Sequence, residues 1–453
     1  MKSMLKLAPV SMLAAIFTFS SLFGQNPKTT ASGKLDDEIK SRTHQEYAAL
    51  EQLYKHLHAN PELSFHEEKT SARIAEELEK TGFTVTRKIG GHGIAGVLKN
   101  GSGPTVLVRT DLDALPVTEN TGVDYASKVR VKDDQSNDVG VMHACGHDIH
   151  MASFVGTARL LSQLKDRWRG TLVFIGQPAE ERGGGARKML TDGLLKKFPK
   201  PDYCVAWHVA SELPAGTVGF CEGYALANVN SVDITIRGVG GHGAYPHTTK
   251  DPIVMAAETI MALQTIVSRE MKPIDPAVVT VGSIHGGTKH NIIPDEVHLQ
   301  LTVRSYSDQA KAQTLKSIER ISKGVAIAAG VPENRMPIVT VADEFTPSTY
   351  NDPALVKKMV ASMQTILGAD KVVPKEPVMG GEDFGEYGRT AEKISIAILW
   401  LGSIANERVQ ESLRTGQSLP SLHSSQFAPL PEPTIKTGVS AMTAAVLDLL
   451  NGK

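Results

Sequence analysis

Strand-like and helical segments alternate along the first half of this chain, and this alternation constrains its fold more than any other feature. Residues 105–108, 171–176 and 203–209 are short runs rich in apolar residues, which is typical of buried strands. Amphipathic helical patterns cover residues 36–82 and 151–164. Helix and strand in alternation predict an α/β layer structure with a largely parallel sheet.

The pattern changes near Asn228 and resumes after Asp352. Between these points the order is strand, helix, strand, strand, helix and strand, which fits a compact two-layer unit of about 115 residues. We therefore expect a discontinuous catalytic domain made of residues 36–227 and 344–453. Residues 228–343 would form a unit inserted into it.

Size and charge exclude several classes of protein. A chain of 453 residues with 41% hydrophobic residues can bury a full core, and its length suggests roughly two to three domains. Its 48 Lys and Arg residues balance 49 Asp and Glu residues, for a formal net charge of −1. Without a basic excess, no nucleic-acid partner is predicted.

The N-terminus has the pattern of a secretory signal peptide. Lys2 and Lys6 precede an almost uncharged run at residues 7–23, which ends in small and polar residues. That run is short for a membrane span. We predict a signal peptide at residues 1–24 and an exported, periplasmic or secreted protein with no membrane anchor after processing. In an oxidising compartment Cys204 and Cys221 could pair; alternatively, both are small buried apolar residues.

Residues 143–150 read HACGHDIH and place several potential metal ligands in one short segment before a helix. Thiolate, imidazole and carboxylate groups are the ligands of zinc and similar divalent ions. Arg109 to Pro116 (RTDLDALP) and Gly176 to Glu181 (GQPAEE) each follow a predicted strand. Functional groups of α/β proteins lie at the carboxyl ends of strands, so these segments are candidates for the same site.

The adjacent carboxylates Glu180 and Glu181 need an explanation, because two like charges side by side are unfavourable unless a cation lies between them or one is protonated. One as metal ligand and the other as general base would answer this. A solvated turn is the alternative. Further polar or glycine-rich motifs are WHV at 207–209, GGHGAYPH at 240–247, GGTKHNIIP at 286–294, GGEDF at 380–384 and LHS at 422–424.

Taken in order, these motifs resemble those of the M20 metallopeptidase and aminoacylase family. The resemblance is to its amidohydrolase branch of hippurate hydrolases, N-acyl-L-amino acid amidohydrolases and auxin-conjugate hydrolases, and it extends from about Tyr47 to the C-terminus. It implies a zinc-peptidase-like catalytic domain with a mixed, largely parallel sheet. It also implies an inserted ferredoxin-like α+β lid, which often mediates dimerisation.

The resemblance assigns roles residue by residue. It implies two divalent metal ions (zinc, manganese, cobalt or nickel), with Glu180 as general base and Asp113 supporting a metal ligand. His242 and Asn291 would bind the oxyanion and the substrate backbone, with His242 reaching the site of a partner subunit in dimeric relatives, and Gly381 would also contact substrate. The implied metal ligands are Cys145, His147, Glu181, His208 and His423.

The implied activity is hydrolysis of the amide bond of N-acyl amino acids, with acetyl, benzoyl or other aryl-acyl groups. Arg304, at a predicted strand end, could hold the carboxylate of the amino acid, or could be a surface residue. The resemblance also implies a homodimer. A secreted metallo-dipeptidase or carboxypeptidase acting on dipeptides is the alternative, and neither the acyl group nor the physiological metal follows from the sequence.

Overall fold

The computed structural model describes residues 31–452. The predicted signal peptide lies outside these residues and stays a prediction. Within residues 31–452, none of the helices combines the length and the apolar character that crossing a membrane requires.

The helices and strands follow the expected alternation. The helices are α1 Ala31–Ala59, α2 Glu68–Lys80, α3 His147–Gln163, α4 Gly185–Thr191, α5 Leu194–Lys197, α6 Pro252–Thr265, α7 Asp308–Ala328, α8 Pro353–Leu367, α9 Gly385–Gly388, α10 Asn406–Thr415 and α11 Pro431–Leu450. The strands are β1 Thr84–Ile89, β2 Gly93–Asn100, β3 Thr105–Asp111, β4 Arg130–Lys132, β5 Asp138–Gly140, β6 Gly170–Gln177, β7 Tyr203–Pro214, β8 Val218–Phe220, β9 Gly223–Leu226, β10 Asn228–Arg237, β11 Gly241–His242, β12 Ala277–Gly286, β13 Ile292–Ile293, β14 Glu296–Ser305, β15 Ile338–Thr346, β16 Thr349–Asn351, β17 Val372–Pro374 and β18 Ser395–Ile404.

Several helices begin at sequence signals that satisfy their free N–H groups. Asp352 precedes Pro353 at the start of α8, and its side chain accepts hydrogen bonds from the N–H groups of Ala354 and Leu355. Asp251 before Pro252 does the same for α6. Proline suits the first helical position because its missing N–H would have no partner there, and aspartate is a favoured cap.

The large sheet has eight strands in the order β1-β2-β6-β3-β7-β18-β8-β17. The neighbours β6 and β3, β3 and β7, and β7 and β18 are parallel, whereas β1, β2 and β6 pair antiparallel. The predicted mixed, largely parallel sheet is confirmed. Helices α1, α3, α8 and α11 cover one face, and α4 and α9 contact the other. Strands covered on both faces are apolar along most of their length, which explains their continuous apolar runs.

A second, antiparallel sheet has the order β12-β14-β10-β15, and α6 and α7 pack against it. Its own apolar core includes Val232, Ile234, Leu299 and Val303. The chain order β, α, β, β, α, β with the first and third strands in the centre is the ferredoxin-like arrangement. The division of the chain into domains at residues 228 and 343 stays a prediction.

All three cysteines are free and buried. Of the two interpretations given for Cys204 and Cys221, a disulfide or small buried apolar residues, the structure agrees with the second. Both residues belong to an apolar core cluster. Their burial among apolar side chains accounts for them without a disulfide.

Candidate active site

The carboxyl ends of adjacent parallel strands bring the predicted site residues together. Strand β3 leads into Asp113, β6 leads into Glu180 and Glu181, and β7 carries His208. Because β6, β3 and β7 are neighbours in the sheet and run in the same direction, these side chains meet at one edge. His423 joins them from the loop before α11, where its N–H donates to the carbonyl of Ala144.

The turn before α3 places Cys145 and His147 in the cluster. Gly146 lies between them with φ +75°, and a Cβ at this position would come within 2.6 Å of Val209 Cγ2. Only glycine combines that backbone conformation with so close an approach. Cys145 can therefore face His208 at an Sγ to Nε2 distance of 3.5 Å, while His147 begins α3.

The five predicted ligands form two groups that share Cys145. The donor atoms of Cys145, His147 and His208 lie within 4.8 Å of one another, and so do those of Cys145, Glu181 and His423. Glu181 also links the groups, with Oε1 3.7 Å from His147 Nε2 and Oε2 3.4 Å from His423 Nε2. Cys145 belongs to both groups, and a residue that bridges two metal ions would lie in such a position.

Hydrogen bonds orient the two buried histidines toward the cluster. The Nδ1 atom of His147 lies 2.9 Å from the carbonyl of Asp113, and Nδ1 of His208 lies 2.8 Å from the carbonyl of Val209. A carbonyl oxygen only accepts, so Nδ1 carries the proton and Nε2 is left for a ligand. His150 is different: Nδ1 contacts Asp111 and Nε2 accepts from the N–H of Val209, so both its ring nitrogens are used.

The donor set fits divalent metal ions. His147 Nε2 and Glu181 Oε1 are buried and have no hydrogen-bond partner among residues 31–452. Buried polar atoms without partners are unfavourable, and a cation between them would remove that penalty. Acidic neighbours, chiefly Asp111, outweigh burial and raise the pKa of His147 to about 10, so a proton takes the place of a cation in the metal-free chain. Thiolate, imidazole and carboxylate together suit zinc and related ions.

Asp113 supports this cluster from behind. Its Oδ2 accepts hydrogen bonds from Ser64 Oγ at 2.6 Å and from the N–H of Glu181 at 3.0 Å, and its Oδ1 lies 3.5 Å from His147 Nδ1. It therefore contacts one predicted ligand through the imidazole and another through the backbone. The position matches the supporting role that the sequence resemblance assigns to it.

Glu180 lies beside the ligands without belonging to the five. Its Oε2 is 3.9 Å from His147 Nε2, and the side chain is buried. Burial and the neighbouring carboxylates Glu382, Glu181 and Asp383 raise the pKa of Glu180 well above its usual value, against the opposing charge of Arg109. A buried carboxylate with a raised pKa accepts a proton readily, which is the property of a general base.

Sequence reasoning missed a buried ionic network behind Glu180. Arg109 donates to Asp111 at 2.7 Å and to Glu382 at 2.9 Å, and it lies 3.3 Å from Asp383. All four side chains are buried. Burial and the nearby Glu382 raise the pKa of Asp383 to about 8, against the opposing charge of Arg109, because three carboxyl groups share one buried guanidinium. The signal available in the sequence was an arginine in the middle of the apolar strand β3 and two acids in the GGEDF motif.

The ligand cluster opens into a cavity of about 630 Å³. Arg304 and Gly381 line this cavity, as the sequence predictions require, together with Glu180 and four of the five predicted ligands. Apolar and aromatic side chains form much of its wall. They are Leu226, Val229, Phe345, Val378, Trp400 and Leu422.

His242 and Asn291 are not brought to the cluster. Both are exposed and lie on or beside the antiparallel pair of short strands β11 and β13, and neither lines the cavity within the described part of the chain. The N–H of Gly243 donates to the carbonyl of Asn291, so these two predicted residues form one surface feature. Their assigned roles stay predictions.

Clustered histidine, cysteine and carboxylate donors beside a buried glutamate, at the carboxyl edge of an α/β sheet, define a hydrolase that acts on amide bonds. The chain belongs to peptidase family M20/M25/M40, whose model matches residues 107–414.

Relatives with established names have related activities. The chain is 35% identical to the N-acetylcysteine deacetylase of Bacillus subtilis, over 80% of this chain and 90% of that protein. It is 37% identical to IAA-amino acid hydrolase ILR1-like 4 of Arabidopsis thaliana, over 74% and 73% of the two chains. It is 36% identical to thermostable carboxypeptidase 2 of Saccharolobus solfataricus, over 74% and 82%.

Among solved structures, the chain is similar to the YXEP protein of Bacillus subtilis, described as a dinuclear metal binding peptidase from the M20 family. The TM-score is 0.71 at 29% identity, and the match covers 92% of this chain and 99% of that one. The predicted family and fold are therefore confirmed.

Proposed function

We propose that this protein is a metal-dependent hydrolase that cleaves N-acyl amino acids at the amide bond. The names of two relatives, an N-acetylcysteine deacetylase and an IAA-amino acid hydrolase, support this substrate class. The observation that carries the proposal is the charge distribution of the cavity: it contains a cation suited to a substrate carboxylate and no carboxylate left over for a substrate ammonium group.

Arg304 is this cation; the other arginine of the lining, Arg182, already pairs with Asp134 at 2.6 Å. Arg304 comes from β14, lines the cavity and is half-buried, with Nη1 donating to the carbonyl of Met379 at 2.7 Å. It forms no ion pair with a carboxylate among residues 31–452. Burial lowers the pKa of Arg304, which shows that no neighbouring anion compensates it. The carboxylate of an amino acid would supply that anion in bidentate fashion.

The cavity disfavours the free amino group of a dipeptide. The only carboxylates in its described lining are Glu180 and Glu181. The first is assigned to proton transfer and the second to metal binding. Six apolar side chains form part of the remaining wall, and they suit an uncharged acyl group. A buried ammonium group without a carboxylate partner is unfavourable, so an acylated nitrogen is the better substrate.

A matched pair of substrates tests this preference. N-propionyl-L-leucine and glycyl-L-leucine have the same number of heavy atoms and differ by a methyl group in place of an ammonium group. We expect kcat/KM to be about tenfold or more higher for the propionyl compound, because an unpaired ammonium costs at least about 1.4 kcal/mol. The measurement is a chromatographic assay of released leucine. Equal or faster cleavage of the dipeptide would instead support the carboxypeptidase or dipeptidase alternative.

We further propose that two divalent ions occupy the cluster, held by Cys145, His147, Glu181, His208 and His423. The description of the YXEP protein as a dinuclear metal binding peptidase supports this number. Bound there, the ions would polarise the amide carbonyl and lower the pKa of water. Zinc, manganese, cobalt and nickel all suit these ligands, and loading experiments with each ion decide among them.

Glu180 would move the proton in the reaction. Its carboxylate takes a proton from the attacking water and then donates it to the nitrogen of the leaving amino acid. Glu180 lines the cavity, so the attacking water can reach its carboxylate. Arg304 would hold the carboxylate of the same amino acid, so the scissile bond is fixed at one end while the proton is transferred.

We propose that the chain works as a homodimer in which each copy supplies His242 to the site of the other. The exposure of His242 away from the cavity supports this, because a residue that binds an oxyanion has to reach the reacting carbonyl. Exposed apolar side chains on the same four-stranded unit offer a surface for a second copy. They include Ile253, Val254, Met261 and Ile284.

Mixing two inactive variants tests the exchange. Glu180→Gln lacks the base and His242→Ala lacks the oxyanion group, so each alone should be nearly inactive. In a mixed dimer one site regains both residues, and random pairing predicts recovery of about a quarter of wild-type activity. The assay is performed after co-expression of the two differently tagged chains. Activity no higher than the sum of the separate variants would show that His242 does not act across subunits.

A further inference from the structure

The turn that presents the two site glutamates has an unusual backbone. Ala179, directly before Glu180, has φ +49°. A left-handed conformation is unfavourable for a residue with a Cβ, so other contacts have to hold Ala179 there. On one side, the carbonyl of Ala179 accepts from the N–H groups of Gly184 and Gly185. These bonds close the glycine-rich loop onto the turn.

Glu67 holds the other side of this turn. Its Oε1 accepts from the N–H of Ala179 at 2.7 Å and from the N–H of Phe65 at 2.8 Å. Phe65 also has a positive φ, of +68°. One carboxylate oxygen therefore stabilises two left-handed residues that are 114 positions apart in the chain (179 − 65).

The buried carboxylate of Glu67 is unfavourable for the stability of the fold, so stability alone does not explain it. The residue is fully buried, forms no ion pair among residues 31–452, and its Oε2 has no hydrogen-bond partner. Burial and the nearby charge of Asp113 raise the pKa of Glu67 to about 7. The two hydrogen bonds to Phe65 and Ala179 are the contacts that use this group.

We propose that Glu67 is a positioning residue for amide hydrolysis: by holding the left-handed turn at Ala179 it sets the directions in which Glu180 and Glu181 project. The inference rests on the proposed function, since it assigns Glu67 to the base and to one metal ligand at once. A displacement of these carboxylates by about 1 Å would cost about a hundredfold in turnover. Glu67 itself touches neither substrate nor metal.

Two substitutions of Glu67 separate positioning from folding. Glu67→Ala removes both hydrogen bonds, and we expect kcat to fall about 30-fold or more with KM within about threefold. Glu67→Gln keeps an oxygen that can accept from both N–H groups, so we expect kcat within about threefold of wild type. If the negative charge of Glu67 were required, glutamine would not restore kcat.

Glu62→Ala is the matched control. The Glu62 carboxylate also accepts two backbone N–H groups, those of Lys69 and Thr70, but it holds the start of α2 and does not contact the turn at Ala179. We expect this variant to lose thermal stability to a similar degree while keeping wild-type kcat. An equal loss of kcat in Glu62→Ala, or wild-type kcat in Glu67→Ala, would overturn the proposal.

A spectroscopic readout keeps the test independent of the substrate. Visible absorption of the cobalt-loaded protein reports the geometry of its ligands, which include Glu181. We expect a changed spectrum for Glu67→Ala and an unchanged one for Glu67→Gln and Glu62→Ala. An unchanged spectrum in Glu67→Ala would contradict the inference. If the wild-type protein cleaves no amide, the proposed function fails, whereas the cobalt spectra still decide whether Glu67 orients the ligand.

Discussion

Glu180→Gln is expected to lower kcat by about 10²- to 10⁴-fold while the bound metal is retained. Glutamine has the shape of glutamate but cannot take a proton from water or return it to the leaving nitrogen. Glu180 is 3.9 Å from His147 and is not one of the five predicted ligands, so its replacement leaves those five in place. Steady-state kinetics and elemental analysis of the same samples measure the two effects.

Two comparisons make this result specific. Glu212→Gln changes an exposed carboxylate on β7, the strand that carries His208, and should leave kcat unchanged. KM of Glu180→Gln should stay close to the wild-type value, because the group acts in the transition state. Turnover within about tenfold of wild type would show that another group accepts the proton.

Cys145→Ser is expected to have the second large effect, on metal content. Cys145 is common to the two ligand groups, so its loss weakens both, and a serine hydroxyl is a poor substitute for a thiolate. We expect the metal content to fall from two ions per chain and activity to fall with it. Elemental analysis after gel filtration measures this. If Cys145→Ser still bound two ions per chain, the metals would have to lie at a different site.

Proton release identifies the thiolate directly. Burial and the carboxylates Glu181, Glu180 and Asp111 raise the pKa of Cys145 well above its usual value, so the metal-free chain carries a thiol. Loading must remove that proton because only the thiolate binds metal. Calorimetry in buffers of different ionisation enthalpy should therefore show at least one proton more released per wild-type chain than per Cys145→Ser chain, because the variant lacks the thiol and also binds less metal. Cys221→Ser is the control, because Cys221 belongs to an apolar core cluster and its sulfur donates to the backbone carbonyls of Glu222 and Tyr224, away from the predicted ligands.

The sequence was most informative where chemistry demands particular residue types. The cluster at residues 143–150 and the paired Glu180 and Glu181 predict a metal site by themselves, and the order of the strands then brings their side chains together. The five ligands could be named only through the family resemblance. A single histidine within a strand, as at His208, or in a loop, as at His423, is weak evidence by itself.

Features that depend on distant contacts could not be predicted. Glu67 and Glu68 are adjacent acids directly before and at the start of α2, where acidic residues are common, so nothing in the sequence links Glu67 to the site. Its partner Ala179 is an ordinary residue whose left-handed conformation is visible only in the structure. The role of Arg109 likewise depends on Glu382 and Asp383, more than 270 residues later in the chain. Strand β18 is a continuous apolar run, which periodicity alone cannot distinguish from a buried helix.

The position of β18 has a consequence for how the protein is made. This strand lies between β7 and β8, in the middle of the large sheet, yet it is synthesised after the whole four-stranded unit. Until residue 404 has left the ribosome, the edge of β7 is unpaired and open to wrong partners. His423 follows later still. With the proposed ligand set, the metal centre is complete only once residue 423 has been synthesised, which would make ion uptake a late step of maturation.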